Sequence, residues 1–331
     1  MLIKILKYLK RNLKSVILSI FLLFFIIILA LFPDKYVTSS WNGIKLFCVS
    51  VLPSLLPFFF LTGLLTSTGT FTTFANKLTP VTNKLFRCNG ISAYAFTMSI
   101  LSGYPIGSRI IYDLKNANVI GSDEGTRMSV FCSTSGPLFV IGAVGTSMFL
   151  SKKIGFIIYL SHVLSAIING LIFRFYGKKQ LKGANFYQSK KNLNVLYDSI
   201  YNAVISVFIV GGFVCVFYVL SDVLYDFKIL MPIEKLLYLI FPKTDGSTYS
   251  IAFTKGLIEC TKGCKILSTL NTSATSVALS ASLISFGGVS IIAQSIVYLK
   301  KAGVNVKIFI LAKFVQMINA FIISYLLTCF L

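Results

Sequence analysis

Apolar runs of bilayer length alternate with short polar stretches along this chain. Residues 16–32, 44–67, 127–150, 154–174, 195–221, 274–299 and 304–330 each suit a helix crossing a hydrocarbon core about 30 Å thick. They are predicted to be transmembrane helices, the second bent by Pro53 and Pro57. The stretch between 75 and 90, with Lys77, Lys84 and Arg87, reads as a polar loop. Residues 222–246 carry Asp222, Asp226, Glu234 and Asp245 around an apolar KILMPIEKLLYLIF, which predicts a short interfacial helix.

Two apolar runs do not fit a span. ISAYAFTMSIL opens segment 91–117 but reaches only about half a crossing at about 1.5 Å per residue. SGYPIG breaks it, and SRIIYDLKNAN is too polar to face lipid. Segment 248–270, TYSIAFTKGLIECTKGCKILSTL, has the same build. Both are predicted to be re-entrant helical hairpins.

Two of the spans are interrupted. Gly136-Pro137 falls inside 127–150, just after Ser133, Thr134 and Ser135, and Gly287-Gly288 falls inside 274–299. An offset of 151 residues superposes the two breaks, and also lays His162 on Lys313. The plan of hairpin, broken span and span thus occurs twice. Three crossings separate the hairpins, so the repeats have opposite topology, as in many secondary transporters. Irregular backbone at membrane depth is tolerated where protein or a wet cavity shields it. Four interruptions converging on one cavity would aim unpaired N–H groups and helix dipoles into it, an anion site without a fixed charge. Unwound carbonyls would hold a cation instead, and a kink can also serve packing alone.

Composition and charge narrow the class. The 331 residues are 56% hydrophobic and 12% charged, with mean hydropathy +0.82, which marks an integral membrane protein. Thirty-one Lys+Arg face ten Asp+Glu. The bases cluster in short loops, as topology requires, so no nucleic-acid partner is expected. Lys4, Lys7, Lys10, Arg11 and Lys14 place the N-terminus in the cytoplasm, the basic 174–194 loop falls on the same side, and the C-terminus falls outside. The first run ends ALFPDKY without a small-residue cleavage site, which predicts a retained helix. Seven scattered cysteines and one histidine form no zinc or iron–sulfur pattern, and no catalytic triad or phosphate loop is seen, so no enzyme and no metal are expected. The expected divisions are 1–43 (N-terminus and first helix), 44–174 (first half), 175–247 (basic loop, connecting helix, external segment) and 248–331 (second repeat).

ILSGYPIGSRII, SDEGTRMSVFCSTSGPLFVIGAVGTSMF, KGLIECTKGCKILS and LISFGGVSIIAQ together resemble the YlbJ-type sporulation integral membrane proteins, within the wider nucleoside-recognition (Gate) domain superfamily. The resemblance covers roughly residues 40–330. It implies a role in endospore formation and export of dipicolinic acid from the mother cell across the outer forespore membrane. Where the family pattern carries Lys after SGYPxG, this chain has Arg109, which keeps the charge and adds a forked carboxylate partner.

A small aromatic dianion needs N–H donors, hydroxyls and a cation. The first tip offers Ser102, Gly103, Tyr104, Gly107, Ser108 and Arg109, and the first break offers Ser133, Thr134, Ser135 and Gly136. The second tip offers Glu259, Thr261, Lys262 and Gly263, and the second break offers Ser285, Gly287 and Gly288 with Gln294 beyond. Arg109 either binds substrate or pairs with Asp113, and the hydroxyls at the break either face substrate or satisfy their own helix. Glu259 either carries a coupling proton, ligates Na⁺ or pairs with Lys255 or Lys262. No cofactor is expected beyond a coupling H⁺ or Na⁺. The partners are the lipid bilayer and a small anionic substrate, with oligomeric state open. Two rivals stand beside this transporter: a sporulation scaffold without transport, and a nucleoside carrier.

Overall fold

The computed structural model describes residues 13–67, 70–178, 194–240, 245–270 and 273–330, with no strand among them. The topology-setting residues Lys4, Lys7, Lys10, Arg11, Lys179, Lys182 and Lys190 lie outside these. α1 (Leu13–Leu31) is followed by α2 (Pro33–Leu46), which passes through a π-wound turn (Phe47–Val51) into α3 (Leu52–Ser67). The second predicted span therefore starts at Pro33, a residue suited to a helix's first turn, and not at 44.

The expected loop at 75–90 is instead mostly helix, α4 (Thr70–Phe86). Lys77, Lys84 and Arg87 read as a loop, but one face of the segment is apolar. Phe86 is buried and stacks on Phe131 at 4.4 Å.

The first predicted hairpin is α5 (Ile91–Ser102), a turn at Gly103–Pro105, and α6 (Ile106–Asn116). α7 (Ser122–Ser129) and the π-wound α8 (Leu138–Met148) flank an irregular stretch, so 127–150 is not one helix. Pro137 lies at the N-cap of α8. It starts a helix rather than kinking one, where its missing N–H costs nothing. α9 (Lys152–Ile172) follows, and the Ser151 hydroxyl at its N-cap accepts from the Ile154 N–H.

α10 (Val195–Asp226) runs past the predicted span and takes Asp222 and Asp226 with it. α11 (Met231–Tyr238) is the predicted short helix. The second hairpin is α12 (Gly246–Ile258) and α13 (Cys260–Leu267), meeting at Glu259. α14 (Ala274–Phe286) opens on a capping box between Ser273 and Ser276 and ends at Gly287. Gly287 has φ +86°, a conformation that favours glycine, and α15 (Gly288–Lys301) departs from it. α16 (Val306–Phe330) ends the described chain.

Among the described residues, five stretches are long and apolar enough to cross a membrane: Pro33–Leu65, Lys152–Ile172, Val195–Asp226, Ala274–Lys301 and Val306–Phe330. Of the seven spans expected from the sequence, the first lies in α1, which borders residues outside the description, and α7–α8 is interrupted. The α14–α15 stretch is 83% buried, against 28% for α10 and for α16. It forms the centre of the bundle, and the large apolar side chains on the outer faces of α10 and α16 suit lipid. The protein is an all-helical integral membrane protein.

Candidate functional site

Each break is a seat for its own hairpin tip. A Cβ on Gly107 would overlap the Cys132 carbonyl oxygen, and one on Gly103 would stand 2.7 Å from the Gly136 nitrogen. The Ser99 hydroxyl of α5 donates to Cys132 O (2.6 Å) and shares a hydrogen bond with Thr134 Oγ1 (2.8 Å), while its oxygen accepts from the Thr134 N–H (3.1 Å). The hairpin base is fixed too, since the Asn89 N–H donates to Glu124 Oε1 at 2.6 Å. Burial pushes the Glu124 carboxyl up, against the lowering effects of that N–H and of Arg127. On the other side, a Cβ on Gly288 would lie 3.0 Å from Ile258 O and 3.1 Å from the Cys260 nitrogen.

These seats predict a large effect from a small change. Ser99→Ala leaves the Cys132 carbonyl and the Thr134 N–H without Ser99's oxygen, both in a dry interior. It is expected to cost about 2–3 kcal/mol. Thermal unfolding of the detergent-solubilised variant beside the parent checks it, and an unchanged midpoint refutes the tie.

The two breaks are joined by His162 and Lys313, both fully buried. The Ser135 N–H donates to His162 Nε2 (2.8 Å), so that nitrogen carries no proton. Nδ1 therefore holds it and donates to Ser285 Oγ, also at 2.8 Å. Lys313 Nζ donates to Ser133 O (2.9 Å), Tyr104 Oη (3.0 Å) and Gln316 Oε1 (3.1 Å). The Tyr104 hydroxyl in turn donates to Ile284 O at 3.2 Å. The residues that the 151-residue offset pairs thus bond across both breaks and the first tip.

Beside this knot lies a cavity of about 40 Å³. Gly103, Tyr104, Ser135, Gly136, Glu259, Thr261 and Gln294 line it, from both tips, the first break and α15. Val51, Leu55, Phe139, Val210, Val214 and Ile291 complete the wall. The Gln294 carboxamide is buried with neither its oxygen nor its nitrogen hydrogen-bonded. Glu259 is the N-cap of α13: Oε2 accepts from the Lys262 N–H (2.8 Å) and Oε1 from Thr261 Oγ1 (3.1 Å). A polar cavity of this volume is roomy enough to hold water.

The other predicted residues stand elsewhere. Ser133 and Ser285 belong to the knot, and Thr134 to the Ser99 tie. Ser102 is buried with its hydroxyl unpaired, and Ser108 is buried on α6. Gly107, Gly287 and Gly288 serve backbone contact or conformation, as does Gly263, packed on Gly256. Arg109 faces a second cavity of about 260 Å³ with Asp113, Asp198, Asn202 and Thr62. Lys262 turns away to α10, where Nζ pairs with Asp222 Oδ2 (2.7 Å), donates to Tyr218 O (3.0 Å) and lies over the Tyr218 ring. Lys255 pairs with Asp222 Oδ1 (2.9 Å), and the Ser39 hydroxyl of α2 donates to the same carboxylate (2.6 Å). The lysines near Glu259 are thus held by another acid, one that sequence reasoning missed because it was assigned to a connecting segment. The apolar wall carried no signal in the sequence either, since its residues resemble any others in a span.

α10 orders these features like a ruler. Val195 to Ser206 line the larger cavity, Val210 and Val214 the central one, and Tyr218 and Asp222 form the latch. Among the described residues no cluster of His, Cys, Asp and Glu could hold a metal ion.

The sporulation integral membrane protein YlbJ of Bacillus subtilis (strain 168) is 26% identical to this chain over 346 aligned positions. The alignment covers 96% of this chain and 83% of that protein. No family model matches the chain, and no solved structure matches it. The comparisons thus carry the closer of the two resemblances and not the wider nucleoside-recognition superfamily. The resemblance seen in SGYPIGSR and SGPLFVIG thus extends over nearly the whole sequence, and the chain is similar to the YlbJ type throughout it.

Proposed function

We propose that this protein is a sporulation membrane carrier that moves dipicolinic acid out of the mother cell across the outer forespore membrane by alternating access. The observation that carries the reading is the meeting of both hairpin tips, the first break and α15 on one buried cavity with an unpaired Gln294 amide. A scaffold has no need of a polar cavity at that point, and filling it with apolar side chains would be more stable. The order along α10 supports alternation. One approach is roomy and polar around Arg109, and the opposite one is shut by Asp222 on Lys255 and Lys262. In this reading the two halves are inverted repeats, the hairpins are re-entrant and the N-terminus is cytoplasmic. The cavity binds the substrate, Arg109 gathers the anion on its way in, and Glu259 sits where a coupling ion acts.

The test is flux of labelled dipicolinate into proteoliposomes holding the full chain, beside uridine. Dipicolinate is expected to enter and uridine to stay out. Arg109→Ala and Glu259→Gln should each slow uptake by about tenfold or more, the loss of one charged contact. Uridine uptake without dipicolinate uptake would replace this reading with a nucleoside carrier. Uptake of neither would favour the scaffold.

A further inference from the structure

We infer that Lys313 supplies a fixed positive charge behind the cavity wall, and that this charge makes the site select dianions over neutral ligands of the same shape. The inference rests on the proposed function and names how that site chooses its substrate.

The geometry defines the charged form. Lys313 Nζ has three acceptors at 2.9–3.1 Å, one for each proton of an ammonium. With the Tyr104 proton given to Ile284 O, a neutral amine, which has only two protons to give, would leave one of the three acceptors facing a lone pair. All three acceptors are neutral: a phenol, a backbone carbonyl and a carboxamide. No acidic side chain pairs with Lys313 among the described residues. An ammonium fully buried in a membrane helix without a counter-ion is costly, and such residues mark substrate or ion pathways.

Its partners tie that charge to the cavity. Tyr104 and the Ser133–Gly136 stretch are both held by Lys313 and both reach the wall, Tyr104 directly and the stretch through Ser135 and Gly136. The ring of Tyr104 also lies 4.8 Å from Nζ. Glu259 is the negative group on the same wall, but its charge is offset on the spot. Both its oxygens accept hydrogen bonds at the start of α13, where the helix dipole is positive. Lys313 also gives three hydrogen bonds, but it lies inside α16, with no end of its own helix to oppose its charge. The Gln294 amide adds donors that can meet a carboxylate, and it discriminates little between charged and neutral ligands. The selecting charge is therefore that of Lys313, acting as a positioning and electrostatic residue from behind Tyr104.

The experiment is equilibrium binding to the purified full chain in lipid nanodiscs, using dipicolinate (two negative charges), picolinate (one) and picolinamide (none). Parent affinity should fall stepwise as charge is removed. Lys313→Met keeps the length of the side chain without the charge. It should weaken dipicolinate by on the order of ten- to a hundredfold, a partly screened charge at short range, and leave picolinamide within about threefold. Tyr104→Phe keeps the charge and removes one acceptor, so it should retain the order of the three ligands. A parent that binds all three alike overturns the inference whether or not any variant folds. So does a Lys313→Met protein that keeps the parent's dipicolinate affinity, or one that loses dipicolinate and picolinamide equally. A parent that binds none of the three overturns the carrier reading itself, and this inference with it.

Discussion

Gly107→Ala is expected to be the most damaging single substitution in the first hairpin, costing at least about 4 kcal/mol. The added methyl would occupy the position of the Cys132 carbonyl oxygen, which belongs to the backbone and cannot swing aside as a flexible side chain can. The same carbonyl accepts the Ser99 hydroxyl, so displacing it also strips that bond and loosens the Thr134 tie. α5 and α6 would have to lift from the break, and Tyr104 would lose its reach to Ile284. The measurement is the thermal midpoint and the yield of folded protein after extraction from membranes. Gly142→Ala is the control, because a Cβ there meets nothing within 4 Å. It should behave as the parent does. Equal effects at the two positions would show that the seat is soft and that the hairpin is not held against the break.

Asp222→Ala is expected to cost about 2–4 kcal/mol, because breaking an ion pair leaves buried partners uncompensated. Lys262 is the partner that suffers most, with 5% of its side chain exposed, while Lys255 at 15% finds water more easily. The Ser39 hydroxyl loses its acceptor in the same change, so α2, α10 and both arms of the second hairpin come apart at one point. Asp222→Ala combined with Lys262→Met removes the lone ammonium together with the carboxylate. The double variant should recover about half of the loss or more, since an apolar pair often packs as well as an ionic one. Thermal midpoints of the parent, the two single variants and the double variant form the cycle. If the double variant is no more stable than Asp222→Ala, the lysine is not what the aspartate holds.

The sequence made the plan of the molecule legible because membrane depth punishes exceptions. Half-length apolar runs with polar tips at 91–117 and 248–270 had few ways to fold, and both are helix–turn–helix units. The offset that set His162 on Lys313 came from spacing alone, and these two residues do bind the breaks together. What failed was of two kinds. Direction was hidden: Arg109 and Lys262 sit beside the tips in sequence, yet their side chains run away from the central cavity. Boundaries were hidden as well. Asp222 lies on the last turns of a long apolar helix, and its acidic neighbours drew it into the next segment. The loop expected at Lys77 and Lys84 is a helix because its apolar face decided the local structure.

The chain holds one histidine, and that histidine stands where the two breaks meet. Histidine-selective ¹⁵N labelling therefore gives a spectrum with one residue in it, free of assignment work once any purification tag is cleaved. Its two ring nitrogens report on different walls, Nε2 on Ser135 and Nδ1 on Ser285. A motion that carries the first break away shifts one resonance, and a motion of the second shifts the other. The native protein thus contains its own two-channel gauge of which half moves when a ligand arrives.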